Sequence, residues 1–322
     1  MAVQEAIEAN LYIAGLETTP RLIDRVKGNG RQSVGDWLDR YVKIIDERDV
    51  SKATRDGIGQ RLTVVRKEWA EACITQISTR DVADFLLKWD AAGKKRMAQA
   101  MRSLLLDLFR EAVAAGWIDR NPVEPTRAPR VQVTRARLTL EAYQAIHAIA
   151  LRDYPAWLVR AMELALVTAQ RREDIAAMGP RSIHDGKLWV EQGKTGNRVC
   201  IPLDLRLQAV NWSVGEVVQR CRDVVLSRHL VHHSAFAGRA KPGDKLRLHT
   251  ITAAFAEARD KSGLTWPAGK TPPTFHEIRS LAARLYAEQG IDAQALLGHK
   301  SPDMTALYRD VRGSEWIEIR LG

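Results

Sequence analysis

A chain of 322 residues with 45% hydrophobic and 27% charged side chains is long enough for two domains with separate cores, and its apolar content excludes disorder as a whole. Its net charge of +10 favours an anionic partner, most simply nucleic acid. Cys73, Cys200 and Cys221 stand far apart without a C-x-x-C pair, which argues against zinc or thioredoxin chemistry and fits reduced thiols in a cytosolic protein.

The opening "MAVQEAIEAN" is acidic and lacks the basic start and apolar run of a signal peptide. In "SVGDWLDRYVKIIDER", Val34, Trp37, Leu38, Tyr41, Ile44 and Ile45 recur at three- and four-residue spacing behind Ser33, a residue suited to the N-cap. That pattern predicts an amphipathic helix. "KATRDGIGQRLTVVRKEWAE", "TRDVADFLLKWDAAG" and "AQAMRSLLLDLFREAVAAG" repeat it, the last two stopping at Gly93 and Gly116, and four such helices predict a small bundle. "WIDRNPVEPTRAPRVQVTRARLT" then reads as a proline-rich, basic linker.

Helical periodicity resumes behind Thr139 and runs through "AWLVRAMELALVTAQ", which Arg160 and Glu163 interrupt well short of the roughly 20 apolar residues of a membrane span. No membrane partner is expected. "KLWVEQGKTGNRVCIPL" predicts a hairpin, because β-branched and aromatic residues flank a turn-forming centre. "TPPTFHEIRSLAARLYAEQG" starts with a capping-box pattern, Thr274 with Glu277, and predicts a helix from Phe275 with His276 and Arg279 on one face toward a ligand or solvent. Position 280 is Ser280, so the zinc-protease motif H-E-x-x-H fails and no metal site is expected. In "LLGHKSPDMTALYRD", Gly298 suits a left-handed helix stop and Ser301 with Pro302 the start of the next helix, leaving His299 in the joint and Tyr308 about two turns on. The tail "SEWIEIRLG" alternates like an edge strand.

Two basic clusters stand out. Lys94, Lys95, Arg96, Arg102 and Arg110 face only Asp107, and Arg127, Arg130, Arg135 and Arg137 have no acid among them. Lys94, Lys95, Arg96, Arg102 and the four later arginines are the candidate contacts for the nucleic acid that the net charge favours, although solvated helix faces explain any one of them nearly as well. Taken singly, Arg171, Lys194 and the His276–Arg279 pair also have bland readings as surface charges. His147, His184, His229, His232, His233 and His249 lack ligand spacing and are read as structural.

The ordered set is more specific than its members. "VTAQRREDIAAM", "VEQGKTGNRVCIPL", "TFHEIRSLAARLY" and "LLGHKSPDMTALYRD" resemble, in order and spacing, the T-G-x-R segment, lysine hairpin, H-x-x-R helix and tyrosine segment of the tyrosine recombinases, and within them the lambda-type phage integrases. One departure is Ala169, where the family usually has glycine. The resemblance implies a mainly α fold with a small β component: a helical connector over 1–32, a helical SAM-like core-binding domain over 33–124, a linker over 125–137, and an α+β catalytic domain over 138–322. The implied catalytic residues are Arg171, Lys194, His276, Arg279, His299 and the nucleophile Tyr308, with no cofactor. Also implied are a clamp on double-stranded DNA at attachment sites, a homo-tetramer whose tails pack between subunits, and a host DNA-bending factor and excisionase as accessory partners. The setting would be the cytoplasm and nucleoid of a bacterial host.

Lambda-type integrases begin with a small arm-binding sheet domain that residues 2–32 do not resemble, so core-site binding without arm-site binding is expected. The alternatives still open are nicking and resealing of the topoisomerase IB kind, and a DNA-binding protein that has lost catalysis.

Overall fold

The structure is a computed structural model that describes residues 32–131, 133–299 and 301–309. Most of the expected connector and the whole "SEWIEIRLG" tail lie outside the described residues. The chain divides into two compact units, residues 1–132 and 133–322, so Arg135 and Arg137 of the expected linker belong to the second.

Among the described residues, four α-helices build the first unit: α1 (Val34–Glu47), α2 (Lys52–Trp69), α3 (Thr79–Ala91) and α4 (Lys95–Ala114). Their starts are local chemistry. Ser33 and Ser78 each accept a bond from the main-chain N–H three residues on, Asp36 and Asp81, whose carboxylates reach back to close capping boxes. At the other ends Gly93 and Gly116 take φ of 71°, a left-handed turn that a β-carbon would strain. The buried faces meet around Trp37, Leu105, Leu108 and Phe109, and the indole N–H of Trp37 donates to the Leu108 carbonyl at 3.0 Å. Asp107, the lone acid of the first basic cluster, accepts bonds at 2.6 Å from Tyr41 and Arg48, so its charge is held by Arg48.

The second unit is arranged on α6 (Ala156–Thr168), which is apolar on nearly all sides and buried from Trp157 to Thr168 apart from Arg160. Around it pack α5 (Leu140–Asp153), α8 (Val214–Arg220), α9 (Leu248–Lys261) and α10 (His276–Glu288). The two charges that interrupt α6 are both paired: Arg160 with Asp223 at 2.8 Å, and Glu163 with His147 at 3.0 Å and Arg220 at 3.2 Å. A short α7 (Arg172–Ala177) leads to an antiparallel sheet in the order β1 (Ile183–His184), β2 (Lys187–Glu191), β3 (Arg198–Pro202). Trp189 faces Cys200 across β2 and β3, and Glu191 faces Arg198 beside the turn. A second ribbon pairs β4 (Arg206–Leu207) with β5 (Trp212–Ser213). Two short helices, α11 (Ala293–Leu297) and α12 (Pro302–Arg309), follow α10. Among the described residues no helix is long and apolar enough to cross a membrane.

Candidate active site

Four elements of the second unit deliver the site, beginning where α6 stops. Ala169 takes φ 53° and ψ 23°, a left-handed conformation that glycine adopts most easily, which fits the glycine that the resemblance leads one to expect here. This turn aims the Ala169 carbonyl at Arg279, whose Nη1 donates to it at 2.5 Å. Arg171 follows as the N-cap of α7, and its Nη1 donates to the amide oxygen of Gln192 at 2.7 Å. One oxygen of Asp174 accepts from the Arg171 main-chain N–H at 3.3 Å and the other from that of Gly193 at 3.0 Å. Asp174 thus ties the arginine segment to the lysine turn, a role that the sequence reading missed. The signal available was its place three residues after Arg171, the capping position of a helix start.

The β2–β3 turn carries Lys194. It is closed by Gln192 N–H donating to the Asn197 carbonyl at 2.9 Å and by Gly196 N–H donating to the Gln192 carbonyl at 2.8 Å, with Gly196 at φ 66°. Lys194 is exposed at this tip, and no carboxylate pairs with it among the described residues. Asn197 donates to the Gly298 carbonyl at 2.6 Å, which fixes the turn against the end of α11.

The start of α10 departs from expectation. The capping box does not close: Thr274 Oγ1 accepts from Arg135 at 2.8 Å, and the Glu277 carboxylate pairs with Arg137 at 3.2 Å. The helix begins at His276, with its first turn closed by Glu277 N–H donating to the Thr274 carbonyl. Arg279 does not face solvent either. It is 1% exposed, with Nη2 donating to the Leu297 carbonyl at 2.8 Å and lying 3.3 Å from His299 Nε2, while its Nε has no partner.

Gly298 ends α11 at φ 63°, and Ser301 accepts from Asp303 N–H at 3.3 Å to open α12. The buried His299 between them faces only donors on Arg279, so its Nε2 accepts and its Nδ1 donates to Thr305 Oγ1 at 3.0 Å. Tyr308 then arrives with its hydroxyl 3.2 Å from His276 Nε2. Its ring centroid lies 5.0 Å from that of His299 and 5.4 Å from the guanidinium carbon of Arg279.

Arg171, Lys194, His276, His299 and Tyr308 line one cavity of about 640 Å³, with Arg279 behind its wall. The electrostatics are those of a positive pocket. Burial and then the Arg279 charge push His276 down to about 4, with Arg171 and Lys194 adding to this and Glu277 opposing it. Although packed closely by these neighbours, His276 is exposed where it lines the cavity, so the neutral imidazole is accessible as a proton acceptor. His299 is also held at about 4, by burial, then Arg279, then Arg171. Arg279 itself falls to about 10, through burial and the nearby Arg171. An anion between these groups would relieve all three.

The candidate DNA contacts fare unequally. Lys94 lies 5.8 Å from the Trp89 ring, Lys95 is 4.0 Å from Asp90, and Arg96, Arg127 and Arg130 are exposed. Arg102 instead donates to the Thr126 hydroxyl and carbonyl at 3.0 and 2.8 Å, bracing its own unit. Arg137 is 9% exposed and paired with Glu277, and Arg135 bonds Thr274, so both help to build the start of α10.

A helical unit followed by an α/β unit whose arginines, lysine, histidines and tyrosine converge on one cavity defines a recombinase of the tyrosine type. Residues 136–315 match the phage integrase family, and residues 35–129 match the phage integrase central domain. The integrase of Escherichia phage HK022 is 41% identical over 323 residues, covering 100% of this chain and 88% of that protein. The integrase of Escherichia phage lambda is 38% identical over the same length, again covering 100% and 88%. A lambda integrase dimer bound to a COC′ core site superposes with a TM-score of 0.86 at 38% identity, covering 100% of this chain and 89% of that one. A lambda integrase tetramer bound to a Holliday junction gives 0.84 at 38% identity, with 99% and 89% covered. The chain belongs to the phage integrase family, and it is a site-specific recombinase acting in integration and excision.

Proposed function

We propose that the cavity receives one phosphodiester of a double-stranded DNA attachment site and that Tyr308 attacks it. Arg171 and Arg279 grip the non-bridging oxygens of the crowded, doubly negative transition state with forked donors. His276 Nε2 takes the phenolic proton. Lys194 gives a proton to the departing 5′ oxygen, and His299 orients Arg279 and the tyrosine. The product is a 3′-phosphotyrosyl bond that keeps the energy of the bond it replaces, so a 5′ hydroxyl of another strand can displace the tyrosine and rejoin DNA without ATP. The observation that carries this reading is the Tyr308 hydroxyl 3.2 Å from a neutral His276, at a cavity that Arg171 and Lys194 also line. This convergence supports an active enzyme over a DNA-binding protein that has lost catalysis.

The first unit is the core-DNA-binding domain in this reading, with Lys94, Lys95, Arg96, Arg127 and Arg130 on phosphates. The lambda integrase tetramer on a Holliday junction supports strand exchange by a homo-tetramer here. A host DNA-bending factor and an excisionase act as accessory partners in a bacterial cytoplasm.

Incubation with supercoiled plasmid bearing the attachment site, in EDTA, tests the chemistry. The wild-type chain should form covalent DNA–protein complex, whereas Tyr308→Phe should form none while binding DNA normally. Covalent DNA on Tyr286 would overturn the assignment.

A further inference from the structure

Gln192 precedes the catalytic turn and is fully buried, yet it is polar and never reaches the cavity. A primary amide offers two acceptor lone pairs and two N–H donors, and a buried one must satisfy them all within the protein. Here all four are used. Its oxygen accepts from Arg171 Nη1 at 2.7 Å and from the Thr195 hydroxyl at 2.9 Å. Its nitrogen donates to the Gln170 amide oxygen at 2.8 Å and to the Leu297 carbonyl at 2.9 Å. The amide cannot turn over. A flipped group would set its nitrogen against the Arg171 guanidinium and its oxygen against two acceptors.

The Leu297 carbonyl has a second donor, Arg279 Nη2 at 2.8 Å. A short path of hydrogen bonds therefore runs from Arg279 through the Leu297 carbonyl and the Gln192 amide to Arg171. We propose that Gln192 is a positioning residue that sets the Arg171 guanidinium relative to that of Arg279, so that both meet one phosphate. The inference rests on the assignment of Arg171 and Arg279 as the phosphate grip. Glutamine suits the task because a neutral oxygen orients Arg171 without cancelling its charge, whereas a carboxylate there would compete with the phosphate.

The test is a set of single-turnover cleavage rates on two substrates, an ordinary phosphodiester and a methylphosphonate at the scissile position. The methylphosphonate lacks the anionic charge that Arg171 is there to meet. Gln192→Met should slow cleavage of the phosphodiester about 10²-fold, the scale of a misplaced reacting group. The defect should shrink at least tenfold on the methylphosphonate. In the Arg171→Ala background, adding Gln192→Met should cost nothing more. Equal loss on both substrates, or additive losses in the double variant, would overturn the inference while leaving the Arg171 assignment intact. If Arg171→Ala itself cleaves the phosphodiester at the wild-type rate, the underlying assignment fails instead. Gln192→Asn keeps the amide oxygen and both amide donors while shortening the side chain by one methylene, so it guards against a Gln192→Met variant that does not fold. It should also be slow on the phosphodiester and recover on the neutral substrate, and equal slowing on both would count against the proposal.

Discussion

In the first unit Arg48 pairs with Asp107 and Glu111, Arg55 with Asp46 and Arg66 with Asp39, whereas around the cavity of the second unit Arg171 and Arg279 are held by an amide and two main-chain carbonyls. An acidic partner cancels the charge that it orients. A neutral oxygen fixes a guanidinium just as firmly and leaves the charge to act on something else. In the proposed mechanism, one chain thus uses the same side chain for folding and for chemistry. The depression of Arg279 to about 10 comes first from burial and then from the neighbouring Arg171 charge, the energetic trace of a guanidinium buried beside a second cation.

The largest effect should come from Arg279→Lys, which keeps the charge but loses the fork, leaving one of the two carbonyls without its donor. Covalent complex formation should fall about 10²- to 10³-fold, the usual loss on removing a transition-state donor. A wild-type rate would mean that charge alone is sufficient at this position.

Acid should expose the same strain. His276 and His299 sit near 4 when folded against an ordinary value of 6.5, so the unfolded chain binds more protons between those values. Their contribution to stability is complete above about pH 6.5 and is lost as pH falls toward 4. Thermal melts from pH 7.5 to 4.5 should therefore show a decline that is shallower in a His276→Gln, His299→Gln double variant. Equal slopes would remove these histidines from the account.

Arg48→Met addresses the other side of the contrast. It should cost about 1 kcal/mol of stability, as a partly exposed ion pair does, and leave the cleavage rate of folded protein unchanged. A rate loss matching that of Arg279→Lys would erase the distinction between the two regions. The smallest change is expected from Ala169→Gly. Removing a left-handed β-carbon should relieve about 1–2 kcal/mol of strain, offset by about 0.4–1 kcal/mol of extra freedom in the unfolded chain. A net gain of about 0.5 kcal/mol in denaturant titration is expected, and a loss would mean that the methyl group packs usefully.

What could be read from the sequence was whatever depends on near neighbours. Ser33 and Thr139 cap their helices through bonds to residues three positions away, and Gly93, Gly116 and Gly298 stop theirs by their own backbone freedom. Thr274 and Glu277 carried the same local signature and were misread. Their side chains are taken by Arg135 and Arg137, 139 and 140 residues distant, and spacing carries no trace of such partners. The ordered motifs led to the six side chains that gather here, but not to the burial of Arg279 or to Asp174, Gln170 and Gln192. Gln170 and Gln192 reach carbonyls 126 and 105 residues away, so nothing in their own neighbourhood marks them. Arg102 and Arg137 looked like free cations for the same reason.

Gly298 has one further consequence. A β-carbon there would come within 2.9 Å of the Gln192 amide nitrogen and of a Val199 methyl, so the hairpin rests directly on the backbone of the joint before α12. The separation between the turn that carries Lys194 and the helix that carries Tyr308 is therefore gauged by a missing methyl group. A side chain at that position acts as a wedge, prising Lys194 and Tyr308 apart without touching either.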